Sequence, residues 1–295
     1  MIREAPRGGL RGALGAALPF VPLGVVLGPL FGGALLMALA QSLGHAPWLG
    51  LRAFPDASPY VALWSDPAFW TSVGLTLWYA TVATALALAL GLALALAMRA
   101  LPGARALATV ARLPLVVPYA LGIALALATM GQGGLLSRLA AAAGWIDDPG
   151  QFPRLLHTHA GWGIVAVYVW KQTPFAALAL LAVLTGLGRE REEAAALLGA
   201  GRWTILARVV LPGVAPGLAS AGLICFAFNM GAFEVPLLLG GGYPDTLPVL
   251  AWRDVSDADL SRRLRGMATV VSLVAISAAA LWAWARLLRR WMPPR

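Results

Sequence analysis

Residues 192–212 read EEAAALLGAGRWTILARVVLP. Long apolar runs flank them: WGIVAVYVW (162–170) and FAALALLAVLTGL (175–187) before, VAPGLASAGLICFAF (214–228) after. A chain this apolar comes out into water for one compact, Glu-led stretch, and its local chemistry predicts helix, turn, helix. Glu190, Glu192 and Glu193 occupy a first helical turn, where negative charge suits the N-terminal dipole. AAALL supplies strong helix formers. Gly199 and Gly201 supply the stop, since glycine tolerates the left-handed conformation that ends helices. RWTILARVV resumes a helix with Trp203, Leu206 and Val210 on one face. Pro212 and Pro216 then mark the start of the next apolar helix, where proline is tolerated.

Working outward, 60% of the 295 residues are hydrophobic and 12% are charged. Soluble proteins carry about 25% charged residues, so the chain reads as an all-α, multi-span membrane protein. The net charge is +9, but the arginines lie scattered between apolar runs instead of forming a stripe. That distribution argues against a nucleic-acid partner and for the lipid bilayer. The single cysteine, Cys225, lies inside an apolar run and permits no disulfide within the chain. The stretch from about 13 to 40 is too long for a signal-peptide core of about 7–15 residues. It reads as an uncleaved first span, kinked by Pro19, Pro22 and Pro29.

A membrane-crossing helix needs about 20 apolar residues. Six candidates fit, at roughly 13–42, 72–98, 106–130, 162–187, 213–239 and 267–288. The division is a 1–12 N-terminus, a first span at 13–42, a core at 70–290 containing the loop 189–212, and a 291–295 tail. If both termini are cytoplasmic, the cytoplasmic segments hold Arg3, Arg7, Arg11, Arg99, Arg105, Arg112, Arg189, Arg191, Arg202, Arg208, Arg286, Arg289, Arg290 and Arg295. The outer segments hold only Arg52, Arg138, Arg154, Arg253, Arg262, Arg263 and Arg265, together with all eight Asp. That imbalance favours cytoplasmic termini, although Arg262–Arg265 then sits just outside the sixth span. The opening stretch accordingly faces the cytoplasm. The outer segments are short and predict interfacial helices, with Trp48, Trp64, Trp70 and Trp145 as an aromatic belt.

Glu193-Ala194-Ala195, Gly199, Val209 and Leu211-Pro212 resemble the EAA loop of permease subunits of binding-protein-dependent ABC importers. The one departure is Val209, where the family usually has Ile. LPLVVPYALGIALALATMGQGGLL (113–136) and YVWKQTPFAALALLAVLTGL (168–187) resemble the family's third and fourth spans. FNMGAFEVPLLLGG (228–241) resembles the spermidine/putrescine-type branch. The resemblance implies the six-span ABC importer permease fold in a bacterial cytoplasmic (inner) membrane, without a catalytic site or cofactor of its own. ATP and Mg would be bound by a partner, a cytoplasmic ABC ATPase dimer. A second permease subunit (a different chain, or a copy) and an extracytoplasmic solute-binding protein are the other implied partners. Glu193, Ala194, Ala195, Gly199, Arg202, Leu211 and Pro212 would couple to the ATPase. The branch implies a polyamine or another small organic cation as substrate. Ferric iron, thiamine, phosphonate and oxyanions are the alternatives.

Within the spans, Lys171 stands alone as a cation at membrane depth. Such a residue costs at least ~2.5 kcal/mol and marks either function or a partner. A backbone carbonyl, for which Pro174 opens one, or a carboxylate would satisfy it. Glu234 either faces the pathway, with Phe233 supplying an aromatic face for a cation, or pairs with Lys171 or a second subunit. Asn229 is a third pathway candidate. His157-Thr-His159 alone is a poor metal site, and no metal is expected. No H-E-x-x-H, P-loop or G-x-S-x-G occurs, which disfavours an enzyme. A secondary transporter would normally show more spans, inverted repeats and no docking loop.

Overall fold

The computed structural model describes residues 21–47, 50–52, 54–101 and 104–289. Segment 1–12, the start of the expected first span with Pro19, Trp48 and the 291–295 tail lie outside the described residues. Helix α1 (Val21–Ser42) contains a π segment, Gly28–Gly33, around Pro29. A two-stranded hairpin follows, β1 (His45–Ala46) antiparallel to β2 (Leu51–Arg52). Then come α2 (Ser58–Trp64), α3 (Pro67–Ala100), α4 (Ala104–Val116), α5 (Tyr119–Met130) and α6 (Leu135–Ala142). Next are α7 (Trp162–Leu187), α8 (Glu190–Leu197) and α9 (Arg202–Gly231). Finally come α10 (Glu234–Leu239), α11 (Leu247–Val255) and α12 (Leu260–Arg289). Six stretches are long and apolar enough to cross a membrane: α1, α3, Tyr119–Ala142, α7, α9 and α12 through Arg286.

Three expectations need correction. The third span, expected unbroken over 106–130, breaks between α4 and α5 at Val117–Pro118. Proline lacks an amide N–H and disfavours helical backbone in the residue before it. The second loop helix does not stop at Pro212. It runs through a π turn, Leu206–Val210, directly into the fifth span. There Leu211 donates its N–H to the Leu206 carbonyl, five residues back, which accommodates a residue at 212 that cannot donate. The sixth helix starts at Leu260, so Arg262, Arg263 and Arg265 belong to its first turns and not to a loop.

The core is organised around α3 and α7. Along the middle of α3 the buried positions include Ala80, Ala83, Thr84, Ala87, Gly91 and Ala95, while Leu86 and Leu90 are exposed. The small residues recur every three or four positions and so line one helical face. With lipid as apolar as leucine, close backbone approach rather than hydrophobicity holds such helices together. Gly91 marks the tightest point. A Cβ there would lie 2.6 Å from the Ala176 Cβ and 3.1 Å from the Ala177 backbone nitrogen of α7.

The ends of the spans opposite the 189–212 loop are fastened by charge. Asp66 caps α3, accepting the Ala68 N–H, and its other oxygen lies 2.6 Å from Arg265 of α12. Arg265 also pairs with Asp254 of α11 at 3.3 Å. Burial pushes the Asp254 carboxyl up, and Arg265 and Arg262 oppose that shift.

Candidate functional site: the 189–212 loop and the membrane-depth polar groups

Thirty-four residues of α3 extend about 51 Å, well beyond the roughly 30 Å hydrocarbon core. The last turn therefore carries Arg99 past the membrane to the loop. Arg99 Nη1 lies 2.6 Å from Glu192 Oε1, and its Nη2 donates to the Gly188 carbonyl. Arg189 returns a bond of 2.6 Å to the Arg99 carbonyl. This latch ties the start of α8 to the end of α3. Removing a charged partner from such half-buried bonds costs about 1.5–3 kcal/mol. Arg99→Ala is thus expected to speed amide hydrogen exchange across 190–198 by about tenfold or more, and unchanged exchange would show that the latch carries nothing.

Helix α8 closes as a Schellman motif. Gly199 has φ +84° and donates to the Ala196 carbonyl at 2.9 Å, while Ala200 donates to the Ala195 carbonyl at 3.0 Å. The left-handed residue is glycine for the reason the sequence suggested. The space around Gly199 is open, so the constraint there is conformational and not steric.

The loop presents an unusual surface. Leu197 and Leu198 are each 89% exposed and Trp203 is 82% exposed. Beside them a cleft of about 500 Å³ is lined by Arg99, Arg189, Glu192, Glu193, Arg202 and the apolar Ile205, Leu206 and Val210. Glu193 and Arg202, predicted from sequence, meet in this cleft. Ala194 is exposed, Ala195 half-buried, and Leu211 and Pro212 lie exposed where α9 leaves the loop. Arg99 and Glu192 were not singled out from the sequence. Their pairing spans 93 positions, and only the basic end of an overlong apolar helix hinted at it.

At membrane depth the polar residues separate. The Lys171 ammonium donates 2.5 Å to the Pro114 carbonyl and also to the Val117 carbonyl. The reason is local: residue 118 is proline, so Pro114 has no N–H four residues on to bond. The lysine therefore caps the α4–α5 break, not the carbonyl opened by Pro174. Its ammonium also lies 5.0 Å from the Tyr119 ring centroid.

Asn229, a pathway candidate from the sequence, is buried. Its amide exchanges bonds with Gln172 at 2.6 and 3.2 Å, and it donates 3.2 Å to Thr84. This network joins α3, α7 and α9. Asn229→Leu leaves the Gln172 amide without its partner and is expected to cost about 1–2 kcal/mol. The Gln172→Leu/Asn229→Leu pair recovers part of that loss. Thermal unfolding in detergent reads both, and equal melting of the single variant and the parent would contradict the network's role.

Glu234 lies past the end of the fifth span, in the first turn of the short α10, and is exposed. Among the described residues it forms no ion pair with Lys171 or any other cation. The Phe233 ring packs on Trp252 at 5.4 Å. The described residues contain no cluster of three metal-ligating side chains.

Fold and site together define a multi-span helical membrane protein with a loop that carries exposed apolar side chains. Residues 87–295 match the family described as the binding-protein-dependent transport system inner membrane component, and the chain belongs to that family. It is a multi-pass inner-membrane permease component. Over 147 residues it is 33% identical to the molybdenum transport system permease protein ModB of Azotobacter vinelandii, covering 50% of this chain and 61% of that one. Over 260 residues it is 26% identical to the thiamine transport system permease protein ThiP of Escherichia coli K12, covering 87% and 46%. The chain thus spans about half the length of these curated relatives. A bacterial ABC transporter involved in import of the acidic polysaccharide alginate contains a chain of the same fold. Its TM-score is 0.77 at 18% identity, over 95% of this chain and 96% of that one. The family is thereby broader than the spermidine/putrescine-type branch that the fifth-span resemblance suggested.

Proposed function

We propose that this chain is one permease subunit of an ATP-driven importer, forming half of the translocation pathway. The loop 189–212 docks a cytoplasmic ABC ATPase, which binds the ATP and Mg. Both termini lie in the cytoplasm, a second permease subunit completes the pathway, and an extracytoplasmic solute-binding protein delivers the substrate. The observation that carries this reading is the exposure of Leu197, Leu198 and Trp203 on a loop whose first helix, α8, is latched to α3 by Arg99 and Glu192. Three large apolar side chains raised into water on a rigid mount suit insertion into another protein. A movement of the docked ATPase would pass through α8 to the 34-residue α3 and so to the outer face. Rocking of packed helices between two arrangements is the ordinary outcome of such coupling.

The test is a mild-detergent pull-down of the tagged chain from its native membrane. Co-purification of an ATPase and a second permease supports the reading. A chain that emerges alone rejects the docking assignment and favours a secondary transporter. The companion binding protein, once captured, identifies the solute. For that solute the names of the two relatives supply molybdenum and thiamine, and the fifth-span resemblance a polyamine. The charge at membrane depth discriminates among these, as argued next.

A further inference from the structure

A cavity of about 270 Å³ lies beside the α4–α5 break, walled by Tyr119, Lys171, Gln172, Phe175, Cys225 and Phe228. Lys171, 8% exposed, contributes the one formal charge on that wall. Its bonds to the Pro114 and Val117 carbonyls position the ammonium but do not neutralise it, because a carbonyl oxygen carries no net charge. One of its three N–H donors remains for a ligand. No carboxylate lines the cavity, and Lys171 forms no ion pair among the described residues. The Tyr119 face that would attract a cation is already turned to Lys171, and Tyr119 stacks on Phe228 at 5.3 Å. The rim residues Leu115, Ile224 and Phe228 are exposed, so the cavity opens at the surface of the subunit.

We propose that this cavity is an anion subsite on the substrate pathway, with the Lys171 ammonium contacting a carboxylate or oxyanion group of the transported solute. The proposal rests on the reading of the chain as a pathway-forming permease. Its physical basis is that a buried, pre-positioned cation offsets the desolvation of an anion and adds to that of a cation. An organic cation meets a like charge there with no carboxylate to balance it. The expected polyamine class is therefore the one this cavity disfavours.

Cys225 is the chain's single cysteine and lines the same cavity, so it serves as a built-in reporter. Membrane vesicles holding the complete transporter are labelled with three methanethiosulfonates of similar size: anionic sulfonatoethyl, neutral hydroxyethyl and cationic trimethylammonioethyl. Mass spectrometry of the Cys225 peptide gives each rate, normalised to that reagent's rate with a free thiol. The ionisation of the thiol is common to all three and cancels in their ratio. The expected anionic-to-cationic ratio is about tenfold or more in the parent. It falls to near one in Lys171→Gln and is kept in Lys171→Arg. Leu115→Glu, which places a carboxylate at the rim without touching the lysine's bonds, lowers it as well. Should Lys171→Gln fail to accumulate in the membrane, the parent and Leu115→Glu ratios decide. A parent ratio at or below one, a ratio unchanged in Lys171→Gln or Leu115→Glu, or no labelling by any reagent overturns the subsite. Partners that co-purify while the ratio stays at one reject the subsite alone. A high ratio in a chain that emerges without an ATPase rejects the importer reading and leaves an anion cavity.

Discussion

On the proposed reading of the chain, replacing Leu197, Leu198 and Trp203 together with Asp is expected to strip the partner ATPase from this subunit while leaving the membrane fold intact. The three side chains project into water and touch nothing that the fold needs, so their loss removes a docking surface and not a core. Buried aromatic and aliphatic anchors carry most of the energy of an interface, and truncating one costs about 2 kcal/mol or more. Three at once, each exchanged for a charge, bring co-purified ATPase down by at least about a hundredfold. Gly199→Trp tests the mount instead of the anchors. A bulky residue at φ +84° is strained by about 1–2 kcal/mol and reorients Leu197 and Leu198 relative to Trp203. Gly199→Asn, which tolerates the left-handed region, is expected to retain most docking. Quantitative immunoblotting of the pulled-down complex reads all three variants. ATPase recovery at the parent level in the triple variant would remove the loop from the interface.

The second large effect falls on assembly within the membrane. Gly91→Leu forces a side chain into a place where even a Cβ would stand 2.6 Å from Ala176 and 3.1 Å from the α7 backbone. Backbone cannot yield as a flexible side chain can, so α3 and α7 must separate. Overpacking of this kind costs about 1–3 kcal/mol where repacking is possible, and more where it is not. The expected result is a fall of about tenfold or more in membrane-inserted protein, with the residue degraded. Gly74 lies on the same helix with nothing within 4 Å of its Cβ position. Gly74→Ala is accordingly expected to be neutral, or to stabilise by about 0.5–1 kcal/mol through propensity. Fluorescence-detected gel filtration separates the two outcomes. Parent-like yield for Gly91→Leu would mean that the α3–α7 seam is looser than its geometry indicates.

These two experiments fall on opposite sides of what the chain discloses unaided. The helix–turn–helix form of the 189–212 loop could be read from order alone, because each of its determinants is local. Three Glu in a first turn, an Ala-Leu helix and a glycine in the left-handed position all act within a few residues of one another. The spans were readable for the same reason, since a bilayer demands about 20 apolar residues in a row and nothing distant alters that demand. Where local reading failed, a local signal had two outcomes. Pro212 looked like a boundary, yet a π turn carried the helix through it. Pro118 lies inside an apolar run expected to form one unbroken span, yet the helix breaks there.

Which polar groups meet at membrane depth depended on how α3, α4, α7 and α9 pack. Lys171, Glu234 and Asn229 were the pathway candidates among the polar residues of the spans. Packing brought Asn229 to Gln172 and Thr84, left Glu234 on the exposed start of α10, and gave Lys171 the carbonyl that Pro118 cannot satisfy. The sequence by itself determined the membrane class, the number of spans and the helix–turn–helix form of the 189–212 loop, because these follow from hydropathy and short-range helix chemistry. Only the tertiary structure decided the Arg99–Glu192 latch, the buried amide network and the uncompensated charge at Lys171. Those depend on contacts between residues 50 to 150 positions apart, and such pairings are settled by close packing of small-residue helix faces rather than by any local preference.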